Sequence, residues 1–338
     1  MISGLDSTHD RVRSLRRDHE LSTGLVSERR GLYPEGARAS SLAAFAKLVR
    51  EGGPLHVELG GRVSRHEVRL PPAEAFGETD ITPTAVVGRA VLGWNATPGL
   101  RLYGAVARAF RAPNVNDLST LGAFDFGVEV PARDLRPERA LGFEWGLKYR
   151  ADSVRLSAAL YRTELTDLIE RVPASYQGVN FYEGQRVYRR TNVGRAFVQG
   201  AEGAFEWRLP GAALTSFGHL TYTFGRLKDA PVPLRRIPPL NGELGLTWGH
   251  AGQARADLRV RFAASQRRLS PGDVADHRIA PGGTPGWHTL NLRLSRPLGD
   301  SVEFSAGIEN LFDVAYRMHG SGVDGYGRHV WLSARVRF

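Results

Sequence analysis

The sequence predicts an all-β chain, a transmembrane antiparallel up-and-down β-barrel with about fourteen strands present. Three observations predict it. Apolar and polar residues alternate with period two in segments of about ten residues, each bounded by turn residues. The connections between these segments alternate between short and long. The mean hydropathy of −0.28 is that of a soluble globular chain, and no run approaches the ~18 consecutive apolar residues that a membrane-crossing helix needs. That excludes helical membrane proteins but not barrels, whose strands carry apolar residues at alternate positions.

Composition narrows the class further. The 338 residues include 39 glycines and 19 prolines, enough for many turns, and no cysteine. A disulfide framework, a thiol nucleophile and a cysteine metal site are therefore excluded. The net charge of +10 comes almost entirely from arginine. Nucleic-acid binders concentrate such charge on one face or in a tail. Here Arg101, Arg155, Arg259, Arg261, Arg293, Arg335 and Arg337 are spread through alternating strands. That distribution suits anionic lipid headgroups or an acidic ligand and gives no nucleic-acid partner. The stretch "MISGLDSTHDRVRSLRRDHELSTG" has no apolar core of signal-peptide length, so the chain is expected to carry no export signal.

The elements follow in order. "SLAAFAKLVR" (41–50) has the pattern of a short amphipathic helix when taken alone. Alternation and hairpin spacing continue through it, so it is assigned as strand. "ALGFEWGLKYR" sets Leu141, Phe143, Trp145, Leu147 and Tyr149 against Gly142, Glu144, Gly146 and Lys148. "VRLSAAL" sets Val154, Leu156, Ala158 and Leu160 against Arg155, Ser157 and Ala159. "ADLRVRF" opposes Leu258, Val260 and Phe262 to Asp257, Arg259 and Arg261, and "TLNLRLSR" and "VEFSAGIEN" repeat the scheme. The last twelve residues, "GRHVWLSARVRF", alternate throughout, with Val330, Leu332, Ala334, Val336 and Phe338 on one side. Chain ends usually fray, so this strand is expected to pair on both edges within a closed barrel that leaves no edge in lipid.

Glu51–Pro54, Thr97–Gly99, Ala151–Ser153, Pro210–Gly211, Ala251–Gly252 and Gly299–Asp300 make short turns of Gly/Pro/Asp type. Long loops run over roughly 71–84, 111–137, 169–187, 227–239, 268–286 and 311–326. Successive turns of a meander lie at opposite ends, so all the long loops share one rim. A soluble sandwich has no reason for that segregation, whereas outer-membrane barrels are built that way.

Three stretches carry chemistry. "YGAVARAFRAPNVNDLS" (103–119) breaks into a loop at Pro113, which cannot donate to a ladder and pushes Ala112 to extended geometry. Arg111, Asn114, Asn116 and Asp117 then offer polar groups that either fix the loop base or meet a ligand. "DLRPERALGFEWGLKYR" (134–150) returns. "GIENLFDVAYRMHGSGVDGYGRHVWLSARVRF" (307–338) forms the final hairpin, with Asn310 and Asp313 as strand-end turn residues and Arg317 a candidate partner.

In that order these stretches resemble the C-terminal barrel of the TonB-dependent outer-membrane receptors, in which an aromatic-Arg-Ala-Pro element, an acidic "LxPE" return, an "NLFD…YR" strand end and a terminal Phe recur. The resemblance implies that residues 1–338 are the C-terminal portion of a barrel of about 22 strands filled by a plug, with the plug and signal peptide absent from this chain. It implies uptake of a ferric siderophore or another scarce large solute, energised by the TonB complex through the missing plug, in the cell outer membrane. It also implies that Phe338 is read by the barrel assembly machinery. Haem is weakened as a ligand: the family's haem receptors place a histidine between the Arg-Ala-Pro element and the acidic return, and 114–133 has none. Cobalamin is likewise less expected.

Other candidates for ligand contact in the long loops are Phe124, Phe126, Tyr176, Tyr182 and Tyr326, which equally suit an interfacial aromatic belt. His277 and His319 are further candidates. Histidine spacing suits no paired metal site, no cofactor is expected, and no Ser/His/Asp set has the spacing of an enzyme. The competing readings are a stand-alone small pore or adhesin and a non-functional truncated gene product.

Overall fold

The computed structural model describes residues 1–72, 77–124, 127–182, 184–250, 252–299 and 301–337. One antiparallel meander dominates it. The wall begins with β1 (Ile2–Arg11), β2 (Arg38–Gly52), β3 (Leu55–Leu70), β4 (Thr84–Thr97) and β5 (Leu100–Arg111). It continues with β6 (Glu138–Arg150), β7 (Val154–Thr166), β8 (Arg195–Arg208), β9 (Leu214–Leu227) and β10 (Asn241–Trp248). It ends with β11 (Arg255–Ala263), β12 (Trp287–Leu298), β13 (Val302–Glu309) and β14 (His329–Val336). Each strand pairs with its neighbours in sequence, and a short strand, Thr79–Ile81, adds to β3. Residues 41–50 lie within β2, as the alternation predicts.

Period two decides which side chains meet which solvent. Trp145 is 57% exposed and Leu160 60%, the reverse of what a water-soluble sheet does with its largest apolar groups. Both belong to the outward file, which across β6 and β7 also carries Leu141 and Leu156. Glu144, Lys148, Arg155 and Glu202 stand on the lumen file. Toward the short-turn rim the outward file ends in aromatics: Trp94, Tyr149, Trp207 and Trp248 all lie within three residues of a strand end. Toward the long-loop rim it turns cationic, at Arg65, Arg108, Arg139 and Arg162. An apolar band closed by aromatics on one side and by charge on the other is the outer surface of a strand-built membrane crossing. No helix among the described residues is long and apolar enough to cross a membrane.

On the lumen face, large rings lie across glycines of the facing strand. Tyr103 opposes Gly146, Phe217 opposes Gly245, and Trp331 opposes Gly307. A Cβ at any of the three would collide with the ring, so the missing side chain is what lets the aromatic lie down on the wall.

The last strand departs from expectation. Among the described residues β14 pairs with β13 alone and β1 with β2 alone, so the fourteen strands form an arc with two open edges instead of a closed cylinder. The alternation of β14 sets which of its side chains face outward and says nothing of whether its far edge is filled.

Candidate functional site: the loop cap above the lumen

The long loops are folded. Pro113 ends β5, and Asn114 caps α1 (Val115–Ser119). The Asp117 amide donates to Asn114 Oδ1 at 2.9 Å, and the Asn114 amide donates back to Asp117 Oδ2 at 3.1 Å. This reciprocal box satisfies donors that a short helix leaves open. Beyond it, Gly127–Val130 runs parallel to Gln185–Asn192, which pairs antiparallel with Ile169–Pro173. Gly122–Phe124 and Phe181–Tyr182 complete this second sheet. The loop after β5 and the loop after β7 are therefore one structure. Val130, Tyr176 and Val187 form its apolar centre, while Leu118 packs with Leu70, Ala132 and Leu135 on the β3 side.

Its charges are buried and shared. Asp117 is 2% exposed and Glu129 1%. The Arg111 guanidinium donates to Asp117 Oδ2 at 2.6 Å and also to Glu138. Arg190 donates to both Asp117 and Glu129, and Arg171 completes Glu129. Glu138 in turn accepts the Ile169 amide at 2.7 Å. Each buried carboxylate thus has two guanidinium partners, the condition under which buried charge is tolerated. Glu170, within the same sheet, has its carboxyl pushed up by burial, with nearby Arg235 opposing the rise.

A second hub ties the later loops. Ser270 caps α2 (Pro271–Val274) in a box with Asp273, and Asp273 Oδ1 accepts the Arg236 amide at 3.0 Å. Asp276 accepts from Arg278 at 2.7 Å, Arg235 at 2.8 Å and Arg236 at 2.9 Å. Those three guanidiniums, Arg278 foremost, hold its carboxyl far below the usual carboxylate range. His319 joins through an Nδ1 contact with Thr284 Oγ1 at 2.9 Å, and burial pulls its imidazole below the ordinary histidine value.

Beneath the cap the lumen wall is polar. A concavity of 670 Å³ is lined by Arg89, Tyr103, Glu144, Tyr161, Glu202 and His219, among others, and the Tyr103 hydroxyl donates to Glu144 at 2.8 Å. A second space of 520 Å³ includes His219, Glu243, Arg261, Trp287, Met318 and His319. No group of three His, Cys, Asp or Glu side chains suited to a metal ion occurs among the described residues. Such a surface can hold and orient a polar solute.

The sequence-predicted residues fall into distinct settings. Arg111, Asn114 and Asp117 share the first hub, and Asn116 Oδ1 accepts from Tyr33 and Thr120 at 3.2 and 2.9 Å. Phe124 meets Tyr188 edge-on at 5.4 Å with Arg171 over its face at 4.6 Å. Tyr176 is buried against Tyr182 at 5.4 Å. His277 is exposed in the second hub's loop, and Tyr326 stands 78% exposed. Phe126 and Phe338 lie outside the described residues. Arg317 pairs with Asp324 at 2.6 Å instead of with Asn310 or Asp313. Asn310 binds the Val314 and Tyr326 carbonyls, and Asp313 takes the Arg328 amide. Trp94, Tyr149, Trp207 and Trp248 make an aromatic belt at the short-turn rim, and the sequence did not single them out. Glu129, Arg171, Arg190, Asp276 and their partners carry no signal in the sequence, since each hub draws on segments far apart in the chain.

Residues 5–311 match the family model described as TonB dependent receptor-like, beta-barrel. Among curated relatives, the chain is 26% identical over 257 residues to the iron-regulated outer membrane virulence protein of Vibrio cholerae serotype O1, covering 72% of this chain and 38% of that protein. It is 24% identical over 267 residues to the pesticin receptor of Yersinia pestis, covering 75% of this chain and 36% of the relative. Among solved structures, the copper transporter OprC superposes with a TM-score of 0.84 at 20% identity, over 99% of this chain and 54% of that one. The ferric yersiniabactin uptake receptor FyuA from Yersinia pestis gives a TM-score of 0.63 at 16% identity, over 89% of this chain and 46% of that one. The chain thus spans little more than a third of the length of these curated relatives. A family of receptors, a barrel wall with outward apolar residues and loops gathered at one rim agree, and the chain belongs to the TonB-dependent receptors, in their β-barrel portion.

Proposed function

We propose that the chain is the C-terminal wall of an outer-membrane receptor that takes up a ferric siderophore or a similarly scarce large solute. The observation that carries this reading is the folded cap: two buried ion hubs hold the long loops together above a polar lumen. A passive pore gains nothing from ordering its loops in this way. The relatives support iron, since one is an iron-regulated outer membrane protein and FyuA is a ferric yersiniabactin uptake receptor. Residues 1–338 are then the barrel portion of a larger receptor, whose plug engages TonB, with Phe338 read by the assembly machinery. Haem stays the weaker ligand because the loop over 114–133 has no histidine.

A second reading is copper. It is favoured by Met318, His319 and His219 around one luminal space, a thioether and imidazole set that suits cuprous ion, and by the likeness to a copper transporter.

Uptake measurements in iron-starved cells lacking other receptors separate the two. Cells carrying the whole receptor are expected to take up radiolabelled iron from ferric yersiniabactin or ferric enterobactin and to lose that uptake on deletion of the gene. Unchanged iron uptake together with lost copper uptake would replace the first reading by the second.

A further inference from the structure

The outward surface holds a feature that solute uptake does not use. Near the short-turn rim, where β10 to β14 run side by side, an apolar furrow of 580 Å³ opens toward lipid. Ala256 and Ala306 sink its floor, and Trp248, Phe304 and Leu332 stand around it. Arg296 belongs to the same lining. It lies on the outward file two residues from the end of β12, opposite Phe304 across the ladder. Its side chain is exposed and makes no ion pair with any described residue. That depth is the depth of Trp94, Tyr149, Trp207 and Trp248, the belt that marks the headgroup level.

We propose that this furrow binds one anionic glycerophospholipid of the inner leaflet, with its phosphate on Arg296 and an acyl chain laid along the floor beneath it. Charge complementarity selects the occupant. A guanidinium with no carboxylate partner among the described residues, set at headgroup depth, meets a phosphate bidentately. An apolar groove running from it toward mid-bilayer meets a hydrocarbon chain and no polar solute. Arg50 is the internal comparison. It too faces outward near the end of its strand at the same rim, opposite Val57, but it is not part of this furrow's lining. Generic attraction to a negative leaflet acts on both arginines, whereas a site acts on Arg296 alone.

The protein, extracted from outer membranes in mild detergent with whatever partners it carries there, is stripped of lipid. It is then titrated with dioleoylphosphatidylglycerol or dioleoylphosphatidylcholine and read by native mass spectrometry. The wild type is expected to retain one phosphatidylglycerol in preference to phosphatidylcholine. Arg296→Gln is expected to lower the retained fraction about fivefold, the effect of one basic residue at a membrane surface. Ala306→Leu fills the floor and is expected to lower retention of that lipid while the arginine is intact. Arg50→Gln is expected to leave it unchanged. Equal retention of the two lipids, retention by Arg296→Gln at the wild-type level, or an equal loss in Arg50→Gln each overturns the site. Circular dichroism of every variant separates lost binding from lost fold.

Discussion

Arg190 joins the cap because one guanidinium serves two buried carboxylates that arrive from different loops, Asp117 and Glu129. In Arg190→Ala each acid keeps its second arginine, so the expected cost is that of a charged hydrogen bond, about 2 kcal/mol, and not that of an orphaned charge. Hydrogen exchange in Gly127–Val130 and Gln185–Asn192 is expected to quicken about thirtyfold at that cost. Arg190→Lys is expected to rescue little, since an ammonium cannot fork between two carboxylates. Exchange at the wild-type rate in the alanine variant would show that the apolar centre alone holds the sheet.

Two loop groups titrate with opposite signs. Burial raises the Glu170 carboxyl, with Arg235, Glu138, Arg171 and Arg190 as the charges nearby. Its penalty is absent below the unfolded value of about 4.3, grows as pH rises toward the folded value, and is complete above it. Burial lowers His319, so its contribution is full above about 6.5 and is lost as pH falls through the folded value. Glu170→Gln is therefore expected to strengthen protection of the loop sheet at pH 7 and to change nothing at pH 4. A variant less protected at pH 7 contradicts the sign. At this scale the sequence was legible where chemistry is local: Pro113 announces the end of β5, whereas Asn114 and Asp117 read as polar loop residues and only the structure shows them closing a helix cap. Glu129, Arg171 and Arg190 were not legible, because only the pairing of two loops brings them together.

Strands were the most legible elements, since a period of two needs no knowledge of partners. The outward and inward files of β6, β7, β11, β12, β13 and β14 follow directly from the alternation. Leu258 tests that assignment. It lies on the outward file between Leu246 and Leu292, so Leu258→Lys is expected to cost ~2–4 kcal/mol at mid-bilayer depth. Its lumen-facing neighbour tolerates Arg259→Leu far better. Denaturant unfolding from liposomes measures both, and equal effects would mean the faces are reversed. The ring-over-glycine contacts were not legible, because opposing Trp331 to Gly307 depends on register. Gly307→Ala is expected to lift the Trp331 ring and destabilise the final hairpin by roughly 1–3 kcal/mol, the cost of overpacking. A red-shifted tryptophan emission would report the displaced ring.

For the whole molecule, topology was legible from connection lengths, because short and long alternate. Closure was not, since alternation within a strand says nothing of whether its far edge is filled. The open edges of β1 and β14 fit a wall that continues into further strands, and the absence of native cysteine makes a clean test possible. Thr8→Cys and Ser333→Cys place thiols on the lumen face of the two edge strands. In the membrane-inserted protein they are expected to stay reduced under mild oxidant. A high-yield cross-link between them would mean that fourteen strands close on themselves.

The meander has one more consequence. Every strand of the wall bonds only to its neighbours in the chain, so no strand must wait for a distant one before it docks, and either edge accepts another hairpin without disturbing a register already formed. Such a wall has no intrinsic size. Its circumference is a count, one that a gene changes in steps of a single hairpin while every existing contact survives the change.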